Sequence, residues 1–204
     1  MNDVDRALVE ISDIRSRMAS SATFQGFGPR VIALTGVLSF VTALAQSLYY
    51  ASSPADVRGF LLVWAGVAVL STALIGTEMI ARSYRIHGGL ADAMIINAAE
   101  QFIPAGVVGL IVALVLDTFA PELLWLLPGI WQLLLAMAIF ATARTLTRRV
   151  NLVAAWYLIA GTTVLILSAQ SLTVGPWSMG IPFVVGQLLM AAVLVSATGK
   201  SDER

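Results

Sequence analysis

Six apolar stretches, each long enough to cross a lipid bilayer, constrain the fold of this chain more than any other feature. A helix rises about 1.5 Å per residue and the hydrocarbon core is about 30 Å thick, so a span needs roughly twenty apolar residues. A helix also pairs its own backbone groups, as lipid requires. The predicted spans are about 30–50, 56–80, 91–116, 128–146, 150–172 and 180–198.

The composition agrees with this pattern. Hydrophobic residues make up 58% of the chain and charged residues 12%, and the mean hydropathy is +0.87, values typical of polytopic membrane proteins. The predicted fold is therefore an all-α bundle of six transmembrane helices, with the lipid bilayer as its first partner. The formal net charge is zero, which gives no electrostatic reason to expect a nucleic-acid partner.

The amino-terminal residues 3–19 predict a short amphipathic helix on the cytosolic side. Pairs of opposite charge spaced by four residues line its polar face. Its apolar stripe either lies on the inner membrane surface or over the span ends, or docks against a partner or a second copy. The candidate docking residues are Val4, Leu8, Ile11, Ile14 and Met18.

Turn-forming residues set the predicted domain boundaries. A GFGP hinge separates the amphipathic helix, in region 1–29, from the transmembrane domain, 30–198, and a cytosolic tail follows at 199–204. Pro104 falls inside the third span as an expected kink. The run PELLWLLPG predicts an interfacial turn before a new helix start at Pro128. The charged start, with no apolar run before residue 30, predicts that no cleavable signal peptide is present.

The positive charges predict the orientation. With the amino terminus inside, Arg58 is the single basic residue outside, and the other Lys and Arg residues of the twelve face the cytoplasm. Both termini are then cytoplasmic. Tyr and Trp residues gather at the outer interface as an aromatic belt.

Several spans echo one another. QLLLAMAIFATA from Gln132 and QLLMAAVLVSAT from Gln187 share a pattern, and LLVWAGVAVLSTA from Leu61 aligns loosely with both. The echo favours three helical hairpin repeats. Apolar helices built from Leu, Ala, Val and Ile also match each other by composition alone, so both explanations stay open.

The second and third spans hold the two acids that lie inside or beside apolar runs. If Arg58 marks the outer membrane edge, Glu78 lies roughly 30 Å further along, at the inner edge. Glu100 lies roughly 25 Å before Asp117, about a turn inside the apolar zone. The candidate intramembrane polar site comprises Glu100, Glu78, Asn97, Gln101, Arg82 and Arg85.

Glu100 supports two hypotheses. A carboxylate in hydrocarbon is costly unless it is paired or hydrated. It either locks the second and third spans by bonding Arg82 or Arg85, or it handles a proton or cation in a cytosol-facing cavity. Four glutamines in the outer half are expected to form hydrogen bonds between helices, or to line a pore. They are Gln46, Gln132, Gln170 and Gln187.

No motif predicts catalysis. The chain has no cysteine, and His87 is its single histidine, which argues against a metal or haem site. GxSxG, HExxH and P-loop patterns are absent. We therefore expect no enzyme activity, no cofactor and no catalytic residue.

Three carboxy-terminal segments carry a resemblance. LPGIWQLLLAMAIFATARTL, AAWYLIAG and GPWSMGIPFVVGQLLMAAVL resemble the carboxy-terminal half of a group of small bacterial inner-membrane proteins of unassigned function. The amphipathic helix and GFGP opening is similar as well. The resemblance implies a bacterial inner membrane, and it carries no activity or ligand.

The leading functional prediction is an inner-membrane protein without catalytic activity. It acts through its cytosolic face as a partner-binding, regulatory or assembly component, with residues 3–19 as the contact to a protein partner. The alternative is a small transporter or channel with Glu100 as the proton- or cation-handling residue. A homo-oligomer is compatible with both, and a water-accessible cavity at Glu100 would favour the alternative.

Overall fold

The computed structural model describes residues 28–50, 56–87, 91–143 and 149–198. Regular secondary structure within these ranges is entirely helical. Six helices are long and apolar enough to span a membrane, which confirms the predicted multi-pass all-helical fold. They are α1 (Pro29–Tyr50), α2 (Val57–His87), α3 (Ala91–Phe119), α4 (Leu127–Thr142), α5 (Val150–Ser171) and α6 (Pro176–Thr198), and the span that contains α4 begins at Pro121. The predicted amphipathic helix at 3–19 lies outside the described residues.

Local sequence explains several helix ends. Asp56 caps α2, since its carboxylate accepts hydrogen bonds from the backbone N–H groups of Arg58 and Gly59 at 3.1 and 3.0 Å. Pro121 begins a 3₁₀ helix, Pro121–Leu126, which runs directly into α4. The predicted turn of helix is therefore continuous with the fourth apolar span, Pro121–Thr142, and its place at the membrane interface stays a prediction. Leu172, with φ of 54°, ends α5 in the left-handed conformation.

Some helices are longer than the apolar pattern predicts. The second span was expected to end near residue 80, but α2 continues to His87. The sixth was expected to begin at residue 180, but α6 begins at Pro176 and carries Pro182 inside it. The apolar pattern marks where a helix meets lipid, whereas backbone hydrogen bonding continues into the polar residues beyond.

The closest helix contacts are antiparallel pairs of α1 with α6 and of α4 with α5. Helix α3 packs mainly on α4. The α1–α6 and α4–α5 pairs differ from the hairpins of successive spans that the sequence echo favours, whereas the α3–α4 pair is one of those hairpins, and the repeat stays a prediction. We name the two ends of the bundle by the ends of α1. One apolar cluster around Tyr157 lies toward the Gly28 side, and a second around Trp64 and Leu127 lies toward the Tyr50 side.

Candidate functional site between the helices

Gln132 is the most enclosed of the predicted polar residues. It lies on α4 with no exposed surface, and its side-chain amide donates to the carbonyl of Ser178 on α6 at 3.0 Å. That carbonyl lacks its usual helical donor because residue 182 is a proline. Gln132 therefore satisfies the backbone group that Pro182 leaves free, a bond between helices as predicted.

Trp156 holds the same turn of α6 from another helix. Its indole N–H, on α5, donates to the carbonyl of Pro182 at 2.9 Å. The turn between Ser178 and Pro182 thus accepts side-chain donors from both α4 and α5. Such bonds are the usual way in which a proline is accommodated in a transmembrane helix.

Gln46 joins α1 to α2. Its side-chain oxygen accepts a hydrogen bond from the Trp64 indole at 2.8 Å, and its amide nitrogen lies 3.5 Å from the Phe60 carbonyl. Gln46 and Trp64 are both buried. This pair is a second hydrogen bond between helices that involves a glutamine.

The other two glutamines occupy different surroundings. Gln187 is half-buried on α6, where its Cβ lies 3.1 Å from the position that a Cβ on Gly36 of α1 would take. Gln170 is exposed near the end of α5. The structure therefore does not gather the four glutamines into one ring.

Tyr157 is a central residue that the sequence analysis missed. It lies on α5 with 1% of its surface exposed. Its ring covers Gly186 of α6 so closely that a Cβ there would lie 2.6 Å from ring atom Cε2. It also meets Phe183 edge to face, with ring centroids 5.5 Å apart. The buried positions of α5, including Val153, recur every three or four residues, but exposed positions such as Leu158 are apolar too, so the sequence did not distinguish Tyr157.

Glu78 lies where α1 begins. The side chain is half-buried on α2, and its Cγ lies 2.7 Å from the position that a Cβ on Gly28 would take. Arg82, one turn further along α2, is half-buried, and Arg85 is exposed. Glu78 is therefore enclosed by the start of α1.

Glu100 is exposed on α3. It is the second residue of the stretch Ala99–Phe119 that is apolar enough to span a membrane. The neighbouring Gln101 is half-buried. The Asn97 side chain lies outside the described part of the structure. The structure thus places Glu78 and Glu100 in different surroundings, and the candidate intramembrane site stays a prediction.

The chemistry available between these helices is hydrogen bonding by amides, indoles and one phenol. Among the described residues, no group of three or more His, Cys, Asp or Glu side chains could hold a metal ion. The bonds at Gln132, Trp156 and Gln46 each fix one helix against another. The arrangement supports a tightly joined bundle.

Comparison with protein-family models, with curated proteins and with solved structures gave no significant match for this chain.

Proposed function

We propose that this protein is a non-catalytic membrane component that binds a protein partner through the Gly28 side of its bundle. We place that side in the cytoplasm of a bacterial cell, at the inner membrane, on the distribution of Lys and Arg. The observation that carries the proposal is the length of α2 and α3, which is greater than the hydrocarbon core of a bilayer requires.

The lengths give the size of this extension. Helix α2 has 31 residues, which corresponds to about 46 Å against a hydrocarbon core of about 30 Å. Helix α3 begins at Ala91, eight residues before its apolar stretch begins at Ala99. We assign the excess length to a helical tip, formed by the end of α2 and the start of α3, beyond the lipid on the Gly28 side.

The tip is polar and internally bonded. The Tyr84 hydroxyl donates to the Asp92 carboxylate at 2.5 Å, which joins α2 to α3, and Arg85 is exposed beside it. The amino-terminal segment joins the bundle on the same side, at Gly28 against Glu78. A partner that contacts the tip could therefore also contact residues 3–19.

The alternative, a transporter or channel that uses Glu100, has less support. Glu100 is exposed on α3, whereas a transport site is expected to be enclosed within a bundle or to line a cavity. Large side chains fill the space between the other helices. Tyr157, Phe60 and Leu127 are each exposed by 2% or less.

Photo-crosslinking in intact cells tests the proposal. A photoreactive amino acid replaces Arg85 at the tip, and Thr118, exposed at the other end of α3, serves as the matched control. We expect position 85 to form a discrete protein adduct that position 118 does not form. Deletion of residues 2–20 should reduce the yield of that adduct.

The result that would contradict the proposal is equally concrete. Equal adduct patterns at positions 85 and 118, or no protein adduct at 85 while the protein is correctly inserted, would argue against partner binding at the tip. Insertion is checked by alkaline extraction of the membranes.

A further inference from the structure

Two buried polar atoms flank the Pro182 turn of α6. The side-chain oxygen of Gln132 is buried, and the nitrogen of the same amide contacts Ser178 and Met179, four and three residues before Pro182. The hydroxyl of Tyr157 lies against Gly186, four residues after it. Neither atom has a hydrogen-bond partner among the described residues, and both residues are at least 99% buried.

Packing fixes both side chains in place. The Tyr157 ring is confined between Gly186 and Phe183, so its hydroxyl cannot turn toward another helix without losing those contacts. The Gln132 amide nitrogen bonds the Ser178 carbonyl, which determines the direction of its oxygen. A hydrogen-bond partner for either atom must therefore be a separate molecule bound next to it.

The chemistry of the two atoms identifies the partner. Tyr157 presents a hydroxyl that can donate, and Gln132 presents an oxygen that accepts. Leaving either unpaired in a buried site is unfavourable. Water is the smallest molecule that can accept one bond and donate another, and ordered waters commonly accompany prolines in transmembrane helices.

We infer that internal water molecules lie beside the Pro182 turn, one accepting the Tyr157 hydroxyl and one donating to the Gln132 oxygen. These waters join α4, α5 and α6 in addition to the direct bonds from Gln132 and Trp156. The Pro182 turn is then a hydrated point inside an otherwise apolar bundle.

Hydroxyl-radical labelling by X-ray radiolysis tests the inference in the intact protein in lipid nanodiscs. Radicals generated from a bound water modify the side chain next to it even when that side chain is buried. We expect Tyr157 to be oxidised and Trp64 to stay unmodified. Trp64 is a matched control because it is 3% exposed and its indole is at least as reactive as a phenol.

Tyr157→Phe supplies a second measurement. Loss of a hydrated hydroxyl should lower the melting temperature by about 2–4 °C. An unmodified Tyr157 in the labelling experiment would overturn the inference. So would a melting temperature of Tyr157→Phe that is equal to or above that of the unsubstituted protein.

Discussion

The bundle has two parts that differ in how they are joined. Helices α1, α4, α5 and α6 form an inner set, and α2 and α3 form an outer hairpin. In the most apolar stretch of Pro121–Thr142, which contains α4, 44% of residues are buried, compared with 6% in Ala99–Phe119 of α3. A helix of the inner set therefore buries a much larger share of its residues than α3, which presents most of its surface outward.

Polar bonds are placed differently in the two parts. In the inner set they lie along the helices, from Gln132 and Trp156 to the backbone of α6. In the outer hairpin they lie near the two ends. Arg58 forms an ion pair with Asp117 at 2.8 Å at one end, and Tyr84 bonds Asp92 at the other.

Two indoles form hydrogen bonds between the outer hairpin and the inner set. Trp64 of α2 donates to the Gln46 side chain on α1, and Trp131 of α4 donates to the Gly109 carbonyl on α3.

The glycines show the same difference. On the inner helices, a Cβ at Gly180 would lie 2.5 Å from the Ala43 Cβ, and one at Gly161 would lie 3.0 Å from the Gly129 carbonyl. On the outer hairpin, a Cβ at Gly66 or Gly106 would meet no atom within 4 Å. Glycine therefore permits close helix approach throughout the inner set, whereas in the outer hairpin Gly109 packs against Trp131 and Gly66 and Gly106 pack against nothing.

The largest expected effect comes from filling an inner glycine. Gly186→Ala would force a methyl group into the Tyr157 ring, which is buried and cannot move aside. Overpacking of this kind costs about 1–3 kcal/mol. We expect a clear fall in the melting temperature of the purified protein in mild detergent.

Gly106→Ala is the matched control for that substitution, because it adds the same methyl group to the outer hairpin. Its melting temperature should be unchanged or slightly raised, since alanine favours a helix more than glycine does. Equal losses at the two positions would mean that the outer hairpin is packed as tightly as the inner set, and the comparison would fail.

A smaller loss is expected at the inner glutamine. Gln132→Met keeps the length of the side chain but removes the donor to the Ser178 carbonyl, which Pro182 leaves without another. An unpaired buried carbonyl costs about 1–3 kcal/mol, offset in part by the better burial of methionine.

Gln170→Met makes the same chemical change at an exposed position of α5. Chemical denaturation should detect a loss only for Gln132→Met. If both variants unfold at the same denaturant concentration as the unsubstituted protein, the bond to Ser178 does not stabilise α6.

Much of the fold could be predicted from the sequence because lipid imposes a strong and simple constraint. Span number and the start of the second span near residue 56 follow from apolar length and from turn residues. Hydrogen bonds from Gln46 and Gln132 to other helices were expected without their partners, since a buried amide needs a hydrogen-bond partner.

The partners of those residues could not be predicted. The pairing of α1 with α6 depends on the shape of helix surfaces, and nearly uniform apolar sequence does not specify it. Tyr157 was missed because its role depends on Gly186, which is distant in sequence and faces it only in the fold. The sequence analysis made Glu100 a candidate site residue because depth along a helix can be estimated from sequence. The direction in which its side chain points cannot be estimated in that way, and the structure places it at an exposed position.

Substitution of Glu100 should have the smallest effect, and it tests whether the outer hairpin depends on a polar bond within the membrane. Because the residue is exposed on α3, Glu100→Gln and Glu100→Ala should each change stability by less than about 0.5 kcal/mol. The melting temperature in detergent and proton or cation flux in liposomes should both match the unsubstituted protein. A loss with Ala but not with Gln would reveal a neutral hydrogen bond between helices. Loss of a measurable flux with Gln, at unchanged stability, would instead establish Glu100 as an ion-handling residue and favour the transporter.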